Sequence, residues 1–251
     1  MKLMKTIGKS IDIFGDSFSC LCCKFNTDNT WLDILEKEYG FVLNNNSLHG
    51  TGAQWCIEKL MSIENNSDFL LFFLPDMNRL SLDYLPEHNA STGSMIYGVM
   101  NNHENKKLKF PEKVSNQILN QKERIYNDYE SFYTTGLYRI LEVLFTSFIF
   151  TKSKKYKKIL IWPSSGLGYP FRYYNGTLEI PSNVHIVSRC LNLISHLEKN
   201  KNSNSEFIFH GEDKRNNHLS QINHQILAKQ IHKFFVEDQM PNVSEFKREI
   251  I

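Results

Sequence analysis

Short, apolar, β-like runs alternate along this chain with segments whose apolar residues recur at helical spacing, and that alternation constrains the fold more than any other feature. A strand, a helix and a second strand in succession close up most readily when the strands lie parallel and the helices cover the sheet. Five runs carry the strand pattern: 10–14, ended by Gly15; 41–43, leading into Asn44, Asn45 and Asn46; 68–74; 158–162, stopped by Pro163; and 206–209. The third is continuously apolar from Phe69 to Leu74, as a strand buried on both faces must be.

Between these runs, Trp31, Leu32, Ile34, Leu35 and Tyr39 define a helix that Gly40 stops. Trp55, Ile57, Leu60 and Met61 define a second. A later helix is carried by Val187, Leu191, Leu193, Ile194 and Leu197, and the last by Ile222, Ile226, Leu227, Ile231 and Phe234. The pattern predicts an α/β fold: a three-layer α/β/α domain around a five-stranded, mostly parallel, doubly wound sheet. All of 1–251 belongs to that single domain. Roughly eighty residues separate the third and fourth strands, far more than a usual connection. The segment 80–156 is therefore read as an inserted helical subdomain or lid. Within it, 132–150 reads as one helix with an apolar stripe of Leu137, Ile140, Leu141, Leu144, Phe145 and Phe148.

Composition enters by exclusion. The chain of 251 residues has 29 Lys+Arg against 27 Asp+Glu, a net charge of +2, and so lacks the basic excess of a nucleic-acid binder. No apolar run approaches the roughly 20 residues that cross a bilayer, and no signal-peptide stretch follows the N-terminal lysines. These features predict a cytoplasmic protein with no nucleic-acid or membrane partner, and leave the oligomeric state open. The five cysteines, an odd number with no secretion signal, are read as reduced thiols; Cys20, Cys22 and Cys23 lack the paired spacing of a zinc site, and Cys56 and Cys190 add no partner motif.

Two fragments can carry chemistry. Gly15-Asp16-Ser17 follows the first strand and places a serine on the carboxyl edge of the sheet, where open α/β sheets build their sites. A backbone N–H at such a helix start can stabilise an oxyanion. Taken alone, Ser17 fits a helix N-cap equally well. A serine also needs a base. His218 follows the fifth strand run and precedes an amphipathic helix with Ser220 as its cap, which puts it in the same layer as Ser17. Asp213, in the same loop, is placed to orient the imidazole.

Together, Gly15-Asp16-Ser17 and His218-Leu219-Ser220 followed by His224 resemble the SGNH (GDSL-type) esterase and acylhydrolase family, over residues 11–235. The resemblance implies that family's flavodoxin-like fold, with the long insertion between strands 3 and 4. It also implies Ser17 as nucleophile, His218 as base and Asp213 as the orienting acid. The family's aspartate usually stands three residues before the histidine, a place held here by Arg215, so Glu212 is a second candidate.

For the oxyanion hole the resemblance implies the N–H groups of Ser17 and Gly50. The family's third block, Gly-x-Asn-Asp, is replaced by Pro75-Asp76-Met77-Asn78-Arg79. Three readings follow: Asn78 donates, Arg79 donates as a cation, or the third donor is absent, which costs about 3 kcal/mol of transition-state stabilisation. Arg79, Tyr169 and Phe171 are candidate substrate-binding residues; the aromatics serve equally as packing against the insertion.

The expected activity is hydrolysis of a small carboxylic ester, such as an O-acetyl group, on a small molecule or carbohydrate. No metal or organic cofactor is called for. The competing expectation is a non-catalytic binding or structural protein that retains the scaffold.

Overall fold

The 10–14 run, with Ile11 and Ile13 on one side and Asp12 and Phe14 on the other, forms the strand around which the fold is arranged. A computed structural model of the protein describes residues 8–20, 29–48, 51–64, 67–75, 116, 119–164, 179–197 and 218–247. In chain order these contain β1 (Ser10–Phe14), α1 (Trp31–Lys37), β2 (Val42–Asn45), α2 (Ala53–Ser62), β3 (Phe69–Leu74), α3 (Lys122–Thr134), α4 (Leu137–Ser153), β4 (Lys158–Pro163), β5 (Val184–Ile186), α5 (Leu191–Leu197) and α6 (Gln221–Glu237).

The described strands form one sheet in the order β2-β1-β3-β4-β5, and every neighbouring pair is parallel. β1 pairs Ile11 with Leu43 on one side and with Phe69 on the other. Every side chain of β3 is buried. Burial of such large apolar groups stabilises the fold by about 1.5–3 kcal/mol each.

Alternation along the strands divides the core in two. Ile11, Ile13, Phe69, Leu71, Phe73, Leu160 and Trp162 pack with residues of α1, α5 and α6. Phe14, Leu70, Phe72, Leu74, Ile159 and Ile161 pack with residues of α2 and α4 on the opposite face. The result is an α/β fold with helices against both faces of an all-parallel sheet. The connection from β1 runs outward to β2 and that from β2 returns past β1 to β3, so the topological switch point lies at the carboxyl ends of β1 and β3.

Three features depart from the sequence expectations. The fifth strand of the described sheet is Val184–Ile186, not 206–209, which lies outside the described residues. It is three residues long with His185 at its centre, too short to signal by periodicity. Val187 consequently follows a strand, and α5 begins only at Leu191.

Gly136, at φ 70°, interrupts the helix expected over 132–150 and separates α3 from α4. The left-handed conformation there suits glycine and breaks the hydrogen-bond ladder.

The buried face of α4 also differs from the expected stripe. It comprises Glu142, Phe145, Thr146, Ile149, Lys152 and Ser153, while Ile140 and Leu144 are exposed. Phe145 meets Phe72 edge-on at 5.2 Å between ring centroids. α4 thus packs on the sheet as the crossover helix between β3 and β4, although it falls within the segment read as an insertion. Residues 80–115, 117 and 118 of that segment lie outside the described ones.

Among the described residues no helix is long and apolar enough to cross a membrane.

Candidate active site

The site begins at Gly15, where β1 meets the next loop. A Cβ at this position would lie 2.5 Å from Ser19 Oγ, 2.7 Å from Phe73 Cβ and 2.9 Å from the Phe73 carbonyl oxygen. Glycine therefore lets the loop pass directly against β3. The chain then makes one helical turn, with the Asp16 carbonyl accepting from the N–H groups of Ser19 and Cys20, each at 3.0 Å. Ser17 stands on this isolated turn and not at the start of α1, which opens at Trp31. The expected helix dipole behind Ser17 is thus limited to a single turn.

Four acceptors of the turn take hydrogen bonds from other elements. Gly15 O accepts from Leu48 N at 3.1 Å and from Thr51 Oγ1 at 3.3 Å. Asp16 Oδ1 accepts from Phe18 N at 3.2 Å and from the hydroxyl of Ser164, just beyond β4, at 3.1 Å. Phe18 O accepts from the Trp31 indole at 3.0 Å, and Ser19 O from Asn45 Nδ2 at 2.7 Å. Among the described residues no acceptor takes the Ser17 N–H. Backbone donors are normally paired, so one held on a braced turn at the sheet edge is suited to an anionic oxygen.

His218 reaches this turn from the other end of the chain. Its backbone is left-handed at φ 62°, a conformation uncommon outside glycine. Two anchors follow directly. Leu219 is buried in the core cluster beneath α6, and Ser220 caps α6 by accepting from Asn223 N at 3.4 Å. The imidazole Nε2 lies 2.9 Å from Ser17 Oγ, and the ring leans on Phe18 at 5.2 Å between centroids. With the ring proton on Nδ1, Nε2 accepts the Ser17 hydroxyl proton, the geometry a general base requires.

β1 is braced below the turn by a buried polar cluster. Asp12 Oδ1 accepts from Ser67 Oγ at 2.6 Å and Asn44 Nδ2 at 3.1 Å, and Oδ2 accepts from the Tyr156 hydroxyl at 2.7 Å. Burial, and then the hydrogen bond to Asp12, hold the Tyr156 phenol far above its ordinary pKa. Desolvation lowers the Lys152 ammonium, with Lys155 adding to the effect and Asp12 opposing it.

Of the residues singled out by sequence, Ser17 and His218 are brought together. Asp213, Glu212, Gly50, Asn78, Arg79, Tyr169 and Phe171 lie outside the described residues. Gly52 is the N-cap of α2. The reading of all five cysteines as reduced thiols is corrected at Cys20, which is disulfide-bonded, whereas Cys56 and Cys190 are free. Cysteine counting weighs parity and a signal peptide, and does not register an individual pairing.

Sequence reasoning missed Ser164 and the polar roles of Asp16, Trp31 and His224. Trp31 registered only as an apolar helix position, and Ser164 carries no local signal. Among the described residues no group of three or more His, Cys, Asp or Glu side chains is placed to hold a metal ion.

Compared with known proteins, the chain matches no family model, no curated protein and no solved structure.

Proposed function

We propose that the protein is a serine hydrolase of the SGNH (GDSL-type) kind that cleaves a small carboxylic ester, such as an O-acetyl group. The observation that carries this reading is the 2.9 Å approach of His218 Nε2 to Ser17 Oγ at the switch point of a parallel sheet. Ser17 attacks the ester carbonyl while His218 takes its proton. The tetrahedral intermediate collapses as His218 returns that proton to the leaving alcohol. Water, activated by the same imidazole, then releases the acyl group from Ser17. Asp213 is assigned the task of fixing the imidazole tautomer, with Glu212 as the second candidate. The Ser17 N–H is assigned to the oxyanion, with Gly50 and Asn78 completing the hole. The flavodoxin-like SGNH fold, with its insertion after β3, belongs to the same proposal.

A panel of acetyl, butyryl and longer aryl esters, tested on wild type and Ser17→Ala, examines the reading. Turnover that falls with acyl length and vanishes in Ser17→Ala supports a short-chain esterase. Equal turnover in the two proteins would contradict Ser17 as the nucleophile, and none in either favours a binding protein on this scaffold.

A further inference from the structure

We propose that Trp31 and His224 are positioning residues that hold the Ser17 turn at hydrogen-bonding distance from His218, a role that rests on the reading of Ser17 and His218 as nucleophile and base. Trp31 is the first residue of α1, and its N–H is one of the helix-start donors without an intrahelical acceptor. The capping box between Thr30 and Asp33 satisfies its neighbours: Thr30 N donates to Asp33 Oδ2 at 2.9 Å and Asp33 N to Thr30 Oγ1 at 3.4 Å. The Trp31 N–H goes instead to His224 Nδ1, at 3.2 Å, on the first turn of α6. An N–H donates there, so His224 Nδ1 must be unprotonated.

The Trp31 indole reaches the other way, giving its Nε1–H to the carbonyl of Phe18 at 3.0 Å. Phe18 directly follows the nucleophile, and its ring supports the imidazole of His218. The connections close a circuit. From His218 the chain runs through Leu219 and Ser220 into α6, then from His224 to Trp31, from Trp31 to Phe18, and from Ser17 back to His218. Gln221 adds a parallel tie, its Nε2 donating to Asn29 O at 2.8 Å. Trp31 is fully buried and His224 is 1% exposed, so neither is open to bulk solvent. A hydrogen bond whose loss leaves a buried group unpaired is the kind that fixes geometry. The Ser17–His218 contact thus has a second, independent span across the same two ends of the chain.

The test compares Trp31→Phe, His224→Leu and His224→Asn with Phe235→Leu, a core change in α6 that touches neither hydrogen bond. The asparagine variant restores an acceptor oxygen near the place of Nδ1. The primary readout is the 15N resonance of His218 Nε2, with the difference between wild type and Ser17→Ala taken as the signature of the Ser17–His218 bond. Trp31→Phe and His224→Leu are expected to move toward the Ser17→Ala value, while His224→Asn and Phe235→Leu stay near wild type. Fluorophosphonate acylation should slow about ten- to a hundredfold in the first two variants and little in the others, at matched thermal stability.

Wild-type resonances in Trp31→Phe and His224→Leu, or equal slowing by Phe235→Leu, would overturn the positioning role. Coincidence of wild type with Ser17→Ala would remove the pair itself and both readings with it. The expected resonance shifts without any acylation of wild type would remove only the hydrolase.

Discussion

His218 Nε2 lies 2.9 Å from Ser17 Oγ although the two residues stand 201 positions apart in the chain. Such a contact follows from topology: β1 delivers Ser17 to the carboxyl edge of the sheet, and the segment entering α6 brings His218 to the same edge. The two elements share one core cluster, with Ile11, Ile13, Leu219 and Leu227 all in it. Core packing and site geometry are therefore linked.

Gly15→Ala tests the tight passage of the nucleophile turn. Its Cβ would meet Phe73 backbone and side-chain atoms closer than 3 Å, so the turn must lift away from β3. A stability loss of about 1–3 kcal/mol is expected in chemical denaturation. Reaction at Ser17 should weaken along with it. Unchanged stability and reactivity would show that the close approach is not needed.

Tyr156→Phe removes the donor to Asp12 Oδ2 inside the buried cluster beneath β1. The carboxylate oxygen left behind has lost its partner, at an expected cost of about 1–3 kcal/mol. Urea unfolding monitored by tryptophan fluorescence measures it directly. A cost near zero would mean that water replaces the phenol.

The sequence carried the strands on both sides of this cluster. β1 matches the 10–14 run, and β3 and β4 fall within one residue of their runs, because each is an apolar segment bounded by glycine, proline or a polar residue. The three-residue β5 escaped for the opposite reason: its place in the sheet comes from pairing with Ile159, Leu160 and Ile161, which no local pattern announces. The buried face of α4 was legible in part: Leu141, Phe145 and Phe148 pack inward as expected, but an apolar stripe cannot register that Glu142, Thr146, Lys152 and Ser153 turn inward while Ile140 and Leu144 stay exposed. At the site, Gly15, Ser17 and His218 were legible as a motif at two chain ends. The braces from Trp31, Asn45 and Ser164 were not, since each is a tertiary hydrogen bond made by a residue with an ordinary local role.

Asp68 supplies a pH-dependent contribution. The hydrogen bond from the Lys157 ammonium, 2.6 Å away, and then that from Ser10 N hold its carboxyl below the usual aspartate range. A carboxyl depressed in the folded state contributes stability above its unfolded pKa of about 3.9, and loses it as pH falls through the lower folded value. Asp68→Asn should therefore be less stable than wild type at neutral pH, by a modest amount because Lys157 is exposed and screened. The gap should close below about pH 4. Thermal melts of both proteins across that range check the sign; a gap that widens toward acid would contradict it.

Mass-spectrometric mapping of a fluorophosphonate adduct on wild type, Ser17→Ala and His218→Ala tests the Ser17–His218 pair most directly. One adduct is expected on wild type, located on Ser17, with none at that position in Ser17→Ala and labelling slower by about three orders of magnitude or more in His218→Ala. An unlabelled wild type, or equal labelling of all three proteins, would contradict that pairing.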